Sequence, residues 1–476
     1  MQKTLGLSLA AALFTSAYAV DVMVDSADLA AMKAQIEALT KKIEKIEKAQ
    51  KKSDKKTKRL ASSVSDVKKA TGGDNVKFDI DFRNSVDVLD YKDNLNHQSA
   101  DNPALLTSRF LLNMAAAPVD GLIFKGQLAV NAIWGAHVYD ESTGLKDWSA
   151  SSKATDTVAR IREAYFVYSD TFGEQPWSVS IGRRPSTNGF LANYRENEDA
   201  AGSPLAHITN MEVNGAMLKL DWDRFLGGAY TKFVYGRAHT GPTSGVYSKD
   251  ITTQPWGPYA DDQDTEDISV DFFVTLGDAY NDGQYQVMYE WAHIFNTKGK
   301  NLVTSATKID AGEADLVSVG LKVDGVGDGI SDFLDETTLF VSGAYTIYNA
   351  SAGHSLMGSA SGGTRQGKSI WLGAVIPDMI TDSGKLGFEY NHGSRYWTPM
   401  TWAEDTASGS KIAVRGDAYE AYWNFDLFGV ENLPSQIRYT YTKHDWTPNI
   451  NCAGWVGVEH ADIEATDLRL SVSYKY

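Results

Sequence analysis

From residue 76 to the end of the chain, apolar and polar side chains alternate one by one. Phe78, Ile80 and Phe82 are interleaved with Asp79, Asp81 and Arg83. The closing stretch is the clearest. Leu468, Leu470, Val472, Tyr474 and Tyr476 alternate with Asp467, Arg469, Ser471, Ser473 and Lys475. A period of two puts successive side chains on opposite faces of a strand. One apolar face and one polar face is the pattern of a wall between lipid and water. The segments that carry it are 76–88, 105–116, 122–134, 157–168, 177–184, 212–222, 229–238 and 267–277, then 285–295, 315–324, 337–348, 370–377, 385–393, 412–425, 436–444 and 466–476. The pattern predicts an all-β fold: an antiparallel transmembrane β-barrel of about 16 strands.

The connections alternate in length. Residues 117–121, 223–228, 278–284 and 378–384 are tight links. Between them lie long polar loops at 135–156, 185–211, 239–266, 296–314, 349–369, 394–411 and 445–465. Short turns on the periplasmic side and long external loops are the asymmetry of such barrels. Aromatic residues gather near strand ends. Trp177, Trp222, Tyr285, Tyr474 and Tyr476 lie beside short turns, and Trp134, Trp291 and Trp371 lie toward long loops, as two interfacial girdles would.

The chain before residue 76 reads differently. Residues 1–19 have a secretory layout: Lys3, an apolar run from Leu5 to Phe14, then Ala17-Tyr18-Ala19 as a cleavage site. Over 29–67 the apolar period is three and four. Leu29, Ile36, Ile43 and Val64 fall on one heptad position, and Met32, Leu39, Ile46, Leu60 and Val67 on the other. This predicts an N-terminal helical coiled-coil segment, and Ile43 with Ile46 favours more than two strands. A lysine-rich tether is the alternative, because Lys51 to Arg59 is nearly all charge. The expected organisation is a signal peptide at 1–19, a periplasmic stalk at 20–75 and a barrel at 76–476. With an even strand count, the stalk falls on the short-turn side.

Composition fits a barrel rather than helical spans. Hydrophobic residues make up 43% and mean hydropathy is −0.31. Past the first residues, no run approaches the roughly 18 apolar positions that a spanning helix needs. The single cysteine, Cys452, forms no internal disulfide and no Cys-rich metal site. Residues 20–75 carry 13 basic and nine acidic side chains, and the first 19 carry one lysine, so −16 for the whole chain leaves −21 on residues 76–476. The average field therefore favours cations weakly. The nine histidines are scattered, and no H-E-x-x-H, G-x-S-x-G or phosphate loop is present. No enzyme, cofactor, metal site or nucleic-acid partner is expected. Two acidic runs, Asp261 to Asp267 and Asp328 to Glu336, read as solvated loops, with calcium as the lesser alternative.

About sixteen strands without a preceding plug should enclose an aqueous channel. The third external loop, 185–211, is the candidate to narrow it. It carries Glu196, Glu198 and Asp199, with Arg195 beside them. If it folds inward, these carboxylates would face Arg183 and Arg184 at the end of the fifth strand and Arg160 and Arg162 on the fourth. Arg109 and Lys125 sit at polar alternation positions and would add to the positive side. Opposed charges across a narrow pore orient permeating solutes.

The layout resembles trimeric outer-membrane porins. In detail it resembles an uncharacterised outer-membrane protein family of the epsilon class of proteobacteria. The residues concerned are Arg162-Glu163-Ala164-Tyr165, Gly182-Arg183-Arg184-Pro185-Ser186, His392-Gly393-Ser394-Arg395-Tyr396 and the terminal Tyr476. The resemblance implies passive or lightly selective diffusion of ions and small hydrophilic solutes. The partners it implies are outer-membrane lipid and lipopolysaccharide, the outer-membrane assembly machinery, and two further copies of the chain in a homotrimer joined by coiled coil and barrel. The stalk could also touch the cell wall. Two alternatives stay open: a structural barrel that tethers envelope layers or acts in adhesion without conducting, and a substrate-specific channel for an anion or a sugar.

Overall fold

The computed structural model describes residues 76–134, 159–186, 188–198, 201–239, 269–305, 307–308, 311–327, 329–381, 383–401, 404–448 and 457–476. The expected signal peptide and coiled coil, Asp199, Cys452, the 261–267 acidic run and most of the 135–156 and 239–266 loops lie outside the described residues.

Sixteen strands close into one barrel. The first half is β1 (Lys77–Asp93), β2 (Gln98–Val119), β3 (Leu122–Ile133), β4 (Arg160–Phe172), β5 (Gln175–Ser186), β6 (Met211–Asp221), β7 (Tyr230–His239) and β8 (Val270–Asn281). The second half is β9 (Tyr285–Ile294), β10 (Gly312–Asp324), β11 (Thr338–Ala350), β12 (Thr364–Pro377), β13 (Lys385–Gly393), β14 (Gly416–Asp426), β15 (Pro434–Trp446) and β16 (His460–Lys475). Every neighbouring pair is antiparallel. The closing pair runs from Asp81 opposite Lys475 to Asp93 opposite Ile463. Closure leaves no sheet edge with unpaired backbone groups, which is the condition for a sheet in lipid.

Burial along β16 shows which way the wall faces. Leu468 and Leu470 are each 46% exposed, whereas Asp467 and Arg469 between them are 0% and 1% exposed. The apolar face is outside and the charged face is inside, the reverse of a water-soluble sheet. Phe82 and Val88 on β1, Leu106 on β2 and Phe388 on β13 continue the apolar exterior around the closure.

Two-residue turns close the short-turn end where the sequence allows them. Asp120-Gly121 joins Val119 to Leu122, and Gly121 has a φ of +79°. That conformation costs glycine nothing, which is why Asp-Gly suits such hairpins. Gly173-Glu174 makes the matching link between Phe172 and Gln175.

The strand count and order follow the alternation, and the differences lie at the rims. β1 and β2 run past the predicted ends at 88 and 105, and stay paired to Asp93 opposite Gln98. The tip is closed by Asp93, whose carboxylate accepts from the Asn96 backbone N–H at 3.1 Å. β14 starts at Gly416 rather than 412. Ile412 and Val414 show the strand period, but they are buried in loop packing instead. Trp371 is not a girdle residue. It is fully buried, and its indole N–H donates to Glu389 Oε2 at 2.8 Å. Trp134 and Trp291 are exposed, as expected. The described part of the 328–336 run forms a capped turn. Ser331 Oγ accepts from Leu334 N at 3.3 Å, and Asp335 Oδ1 accepts from Gly329 N at 3.0 Å. Among the described residues, no three His, Cys, Asp or Glu side chains are grouped to hold a metal.

Candidate functional site

The 187–210 loop leaves the wall between β5 and β6 and reaches the opposite side. Tyr194 O accepts from Asn424 Nδ2 on β14 at 3.0 Å, and Arg195 O accepts from Gln436 Nε2 on β15 at 2.5 Å. Its apolar residues explain the inward course. Phe190, Leu191, Leu205 and Ile208 are completely or almost completely buried and pack with Phe272, Met288, Leu316 and Phe340 from the inner wall. Burying each such side chain contributes about 1.5–3 kcal/mol, so a loop of this composition does not stay in water. Half of the inner wall is thus apolar, unlike the polar face the alternation predicted. The sequence signal is visible in retrospect: Phe272-Phe273-Val274 on β8 is apolar on both faces.

A second loop, 394–415, joins the first. Asn210 N donates to Met400 O at 2.7 Å, and Met400 N donates to Ile208 O at 2.9 Å. His207 is held between Ser342 Oγ at 2.8 Å and Ser369 Oγ at 2.9 Å, with Trp371 and Trp397 edge-on to its ring. The second loop was expected only as an external loop. Its sequence did carry a signal, since Trp397, Met400, Ile412 and Val414 are more apolar than a solvated loop requires.

Two charge clusters sit where the loops meet the wall. In the first, Arg195 pairs with Glu196 at 2.7 Å and with Glu404. Lys411 beside it bridges Glu389 at 2.7 Å and Glu420. In the second, Asp405 accepts from Arg109 at 2.9 Å, from Arg83 and from Arg469 at 3.3 Å. The backbone oxygen of Asp405 accepts from Arg438 at 2.9 Å. Strand register gathers these arginines. Arg83 stands directly opposite Arg109, and Arg438 directly opposite Arg469. Like charges opposed across a ladder repel. Burial pushes the Asp405 carboxyl up, but Arg83, Arg109 and Arg469 outweigh it and hold it well below the usual carboxylate range.

The other predicted residues fall into separate places. Arg162 and Arg183 share Glu212 at the start of β6, at 2.5 and 3.0 Å. Arg184 lies over the Tyr165 ring, 5.0 Å from its centre. Arg160 begins β4 at the edge of the described residues, and Lys125 is exposed on β3. Glu198 accepts from Asn188 Nδ2 at 2.8 Å, and Glu196 turns to Arg195 of its own loop. Among the described residues, Glu196 and Glu198 therefore bond within their own loop, while Arg162 and Arg183 take Glu212 and Arg184 lies on Tyr165. The loop's cation, Arg195, pairs with Glu196 of its own loop and Glu404 of the second, with Glu420 of the wall 3.9 Å away, and the arginine cluster, of which only Arg109 was anticipated, takes a carboxylate from the second loop. Alternation identifies inward arginines but not which of them share a height, because strand stagger sets that.

Two titrations in the loop have opposite signs. Burial lowers His207 from 6.5 to about 3, and burial with help from Glu196 raises Glu198 from 4.5 to about 7. His207 therefore supports loop packing fully above about pH 6.5 and withdraws that support as pH falls toward 3. Glu198 supports packing fully below about 4.5 and withdraws as pH rises through 7. At pH 4, a protease active in acid is expected to cut within 187–210 faster in the parent than in His207→Gln, by up to about tenfold per pH unit below 6.5. Equal cutting of the two at pH 4 would show that the imidazole does not bear on the loop.

Residues 99–474 match the family described as "Protein of unknown function (DUF3373)". The chain belongs to this family. No curated protein matches the sequence. Among solved structures, this family member is similar to the anion-selective porin from Comamonas acidovorans, at 12% identity and a TM-score of 0.48, over 84% of this chain and all of that one. It is also similar to OprB of Pseudomonas putida, at 11% identity and a TM-score of 0.46, over 84% and 94% of the two chains. OmpT of Vibrio cholerae matches at 14% identity and a TM-score of 0.45, over 84% and 97%.

Proposed function

We propose that the protein is an outer-membrane channel for ions and small hydrophilic solutes, narrowed by the 187–210 and 394–415 loops. The observation that carries this reading is a closed barrel that is apolar outside and carries clusters of charge inside. A cavity of about 760 Å³ opens at the short-turn end, lined by Asp79, Asp81, Arg109, Glu163, Glu198 and Lys475. A sheet this apolar outside needs lipid, and an even-stranded antiparallel barrel suits the outer membrane. Export through the 1–19 segment, insertion by the assembly machinery, contact with lipopolysaccharide, trimer formation and a periplasmic stalk at 20–75 belong to the same proposal. It ascribes no catalysis to the chain.

Dry packing of the loops against half of the inner wall favours a second reading, a barrel closed at rest. Recording from the purified full chain in planar bilayers separates the two. Discrete conductance steps are expected. A chain that inserts as a heat-modifiable barrel and passes no ion in any salt would leave only the closed, structural reading.

A further inference from the structure

The arginine cluster has a carboxylate in it, and that carboxylate arrives on a loop. Arg438 on β15, Arg469 on β16, Arg83 on β1 and Arg109 on β2 come from four successive strands across the barrel closure. Two directly opposed pairs of cations are stable only with an anion between them. The wall supplies part of the compensation: Asp87 pairs with Arg469, and Asp81 lies 3.5 Å from Arg109. Glu420 lies 3.9 Å from Arg438, and Asp405 is the carboxylate shared by Arg83, Arg109 and Arg469. Arg83 holds both of its carboxylate oxygens, Oδ1 at 3.1 Å and Oδ2 by a shorter bond. This is the planar fork that guanidinium offers to carboxylates.

The cluster also stands between two spaces. Arg469 borders a cavity of about 280 Å³ that includes Leu89, Tyr91, Thr107 and Ala407, while Arg109 borders the larger cavity at the short-turn end. Asp405 bonds to both arginines and so links a residue that borders one space to a residue that borders the other. Glu196 and Glu404 flank it on the side of Arg195.

We propose that Asp405 is a tethered stand-in for a permeating solute, and that the cluster is a binding site for a small monocarboxylate that displaces Asp405 and joins the two cavities. The proposal rests on the channel reading above and adds its substrate class and its gate. A carboxylate reproduces the fork that Asp405 makes. The flanking glutamates disfavour a second negative charge on the same small molecule.

The test is calorimetric titration of the full chain, folded in detergent, with acetate, succinate and chloride. A tethered competitor acts at a high effective concentration, so its removal tightens the apparent affinity of the free ligand. Asp405→Asn is expected to bind acetate at least about tenfold more tightly than the parent. Succinate should gain no more than acetate, chloride should gain nothing comparable, and adding Arg109→Gln should cancel the acetate gain. Equal acetate affinity in parent and variant overturns the proposal, as does a gain that chloride shares. If Asp405→Asn does not fold, Arg109→Gln alone supplies the test: about tenfold weaker acetate binding supports the site, and an unchanged value overturns it. Binding in micelles needs no conduction. Silence in the bilayer therefore sinks the channel and leaves the site, while unchanged binding does the reverse.

Discussion

Replacing Gly320 by leucine is expected to push the 187–210 loop off the wall and raise single-channel conductance several-fold. Gly320 lies on β10 facing the lumen, directly beneath the loop's two main apolar contacts. A Cβ there would stand 2.9 Å from Phe190 Cε1 and 3.0 Å from Leu205 Cδ1. Leucine adds three carbons beyond that atom. Overpacking of this kind costs roughly 1–3 kcal/mol in cores that can adjust. The barrel strands are locked by their ladders, so the loop is the part that yields. Gly343 on β11 is the control, because nothing lies within 4 Å of a Cβ at that position. Gly343→Leu should leave conductance unchanged. If the two variants conduct alike, the loop does not rest on β10 in the membrane.

Removal of the Arg195 side chain should be the most destabilising single change in the interior. Arg195 and Glu404 are 3% and 8% exposed, and Arg195 also neutralises Glu196. Burial works against the Arg195 charge, but Glu196 and Glu404, with Glu420 and Glu389 behind them, outweigh it and raise the guanidinium well above its ordinary value. Arg195→Ala leaves Glu196 and Glu404 without their cation, while Lys411 still holds Glu389 and Glu420. Breaking a buried pair by removing one partner costs about 3–5 kcal/mol. The loss should appear in denaturant titrations of the detergent-folded protein and as proteolysis near Asn197. Adding Glu404→Gln to Arg195→Met should recover a good part of it, since the stranded charge is then gone. A midpoint that does not move in Arg195→Ala would mean that water already reaches these carboxylates.

These effects mark the boundary between local pattern and assembly. The sixteen strands, their order and the apolar exterior were legible in the chain because each depends on alternation within about ten residues. Leu468, Arg469 and Leu470 must face opposite ways in any strand, so the sequence alone determined that one face meets lipid. It also placed the third loop as the element to watch, through its carboxylates. The apolar run Phe190-Leu191-Ala192 was the better signal, since a solvated loop has no use for it.

The tertiary structure alone decided which charges meet. Asp405 and Arg83 are 322 positions apart, and Arg469 reaches Asp87 across 382. Such pairs depend on the stagger of every strand between them and on the path of two loops through the lumen. Periodicity says that an arginine points inward. It does not say at what height, or opposite which loop. Closure of the barrel sets both, because it fixes the register of β1 against β16 and so brings the first and last strands to one site.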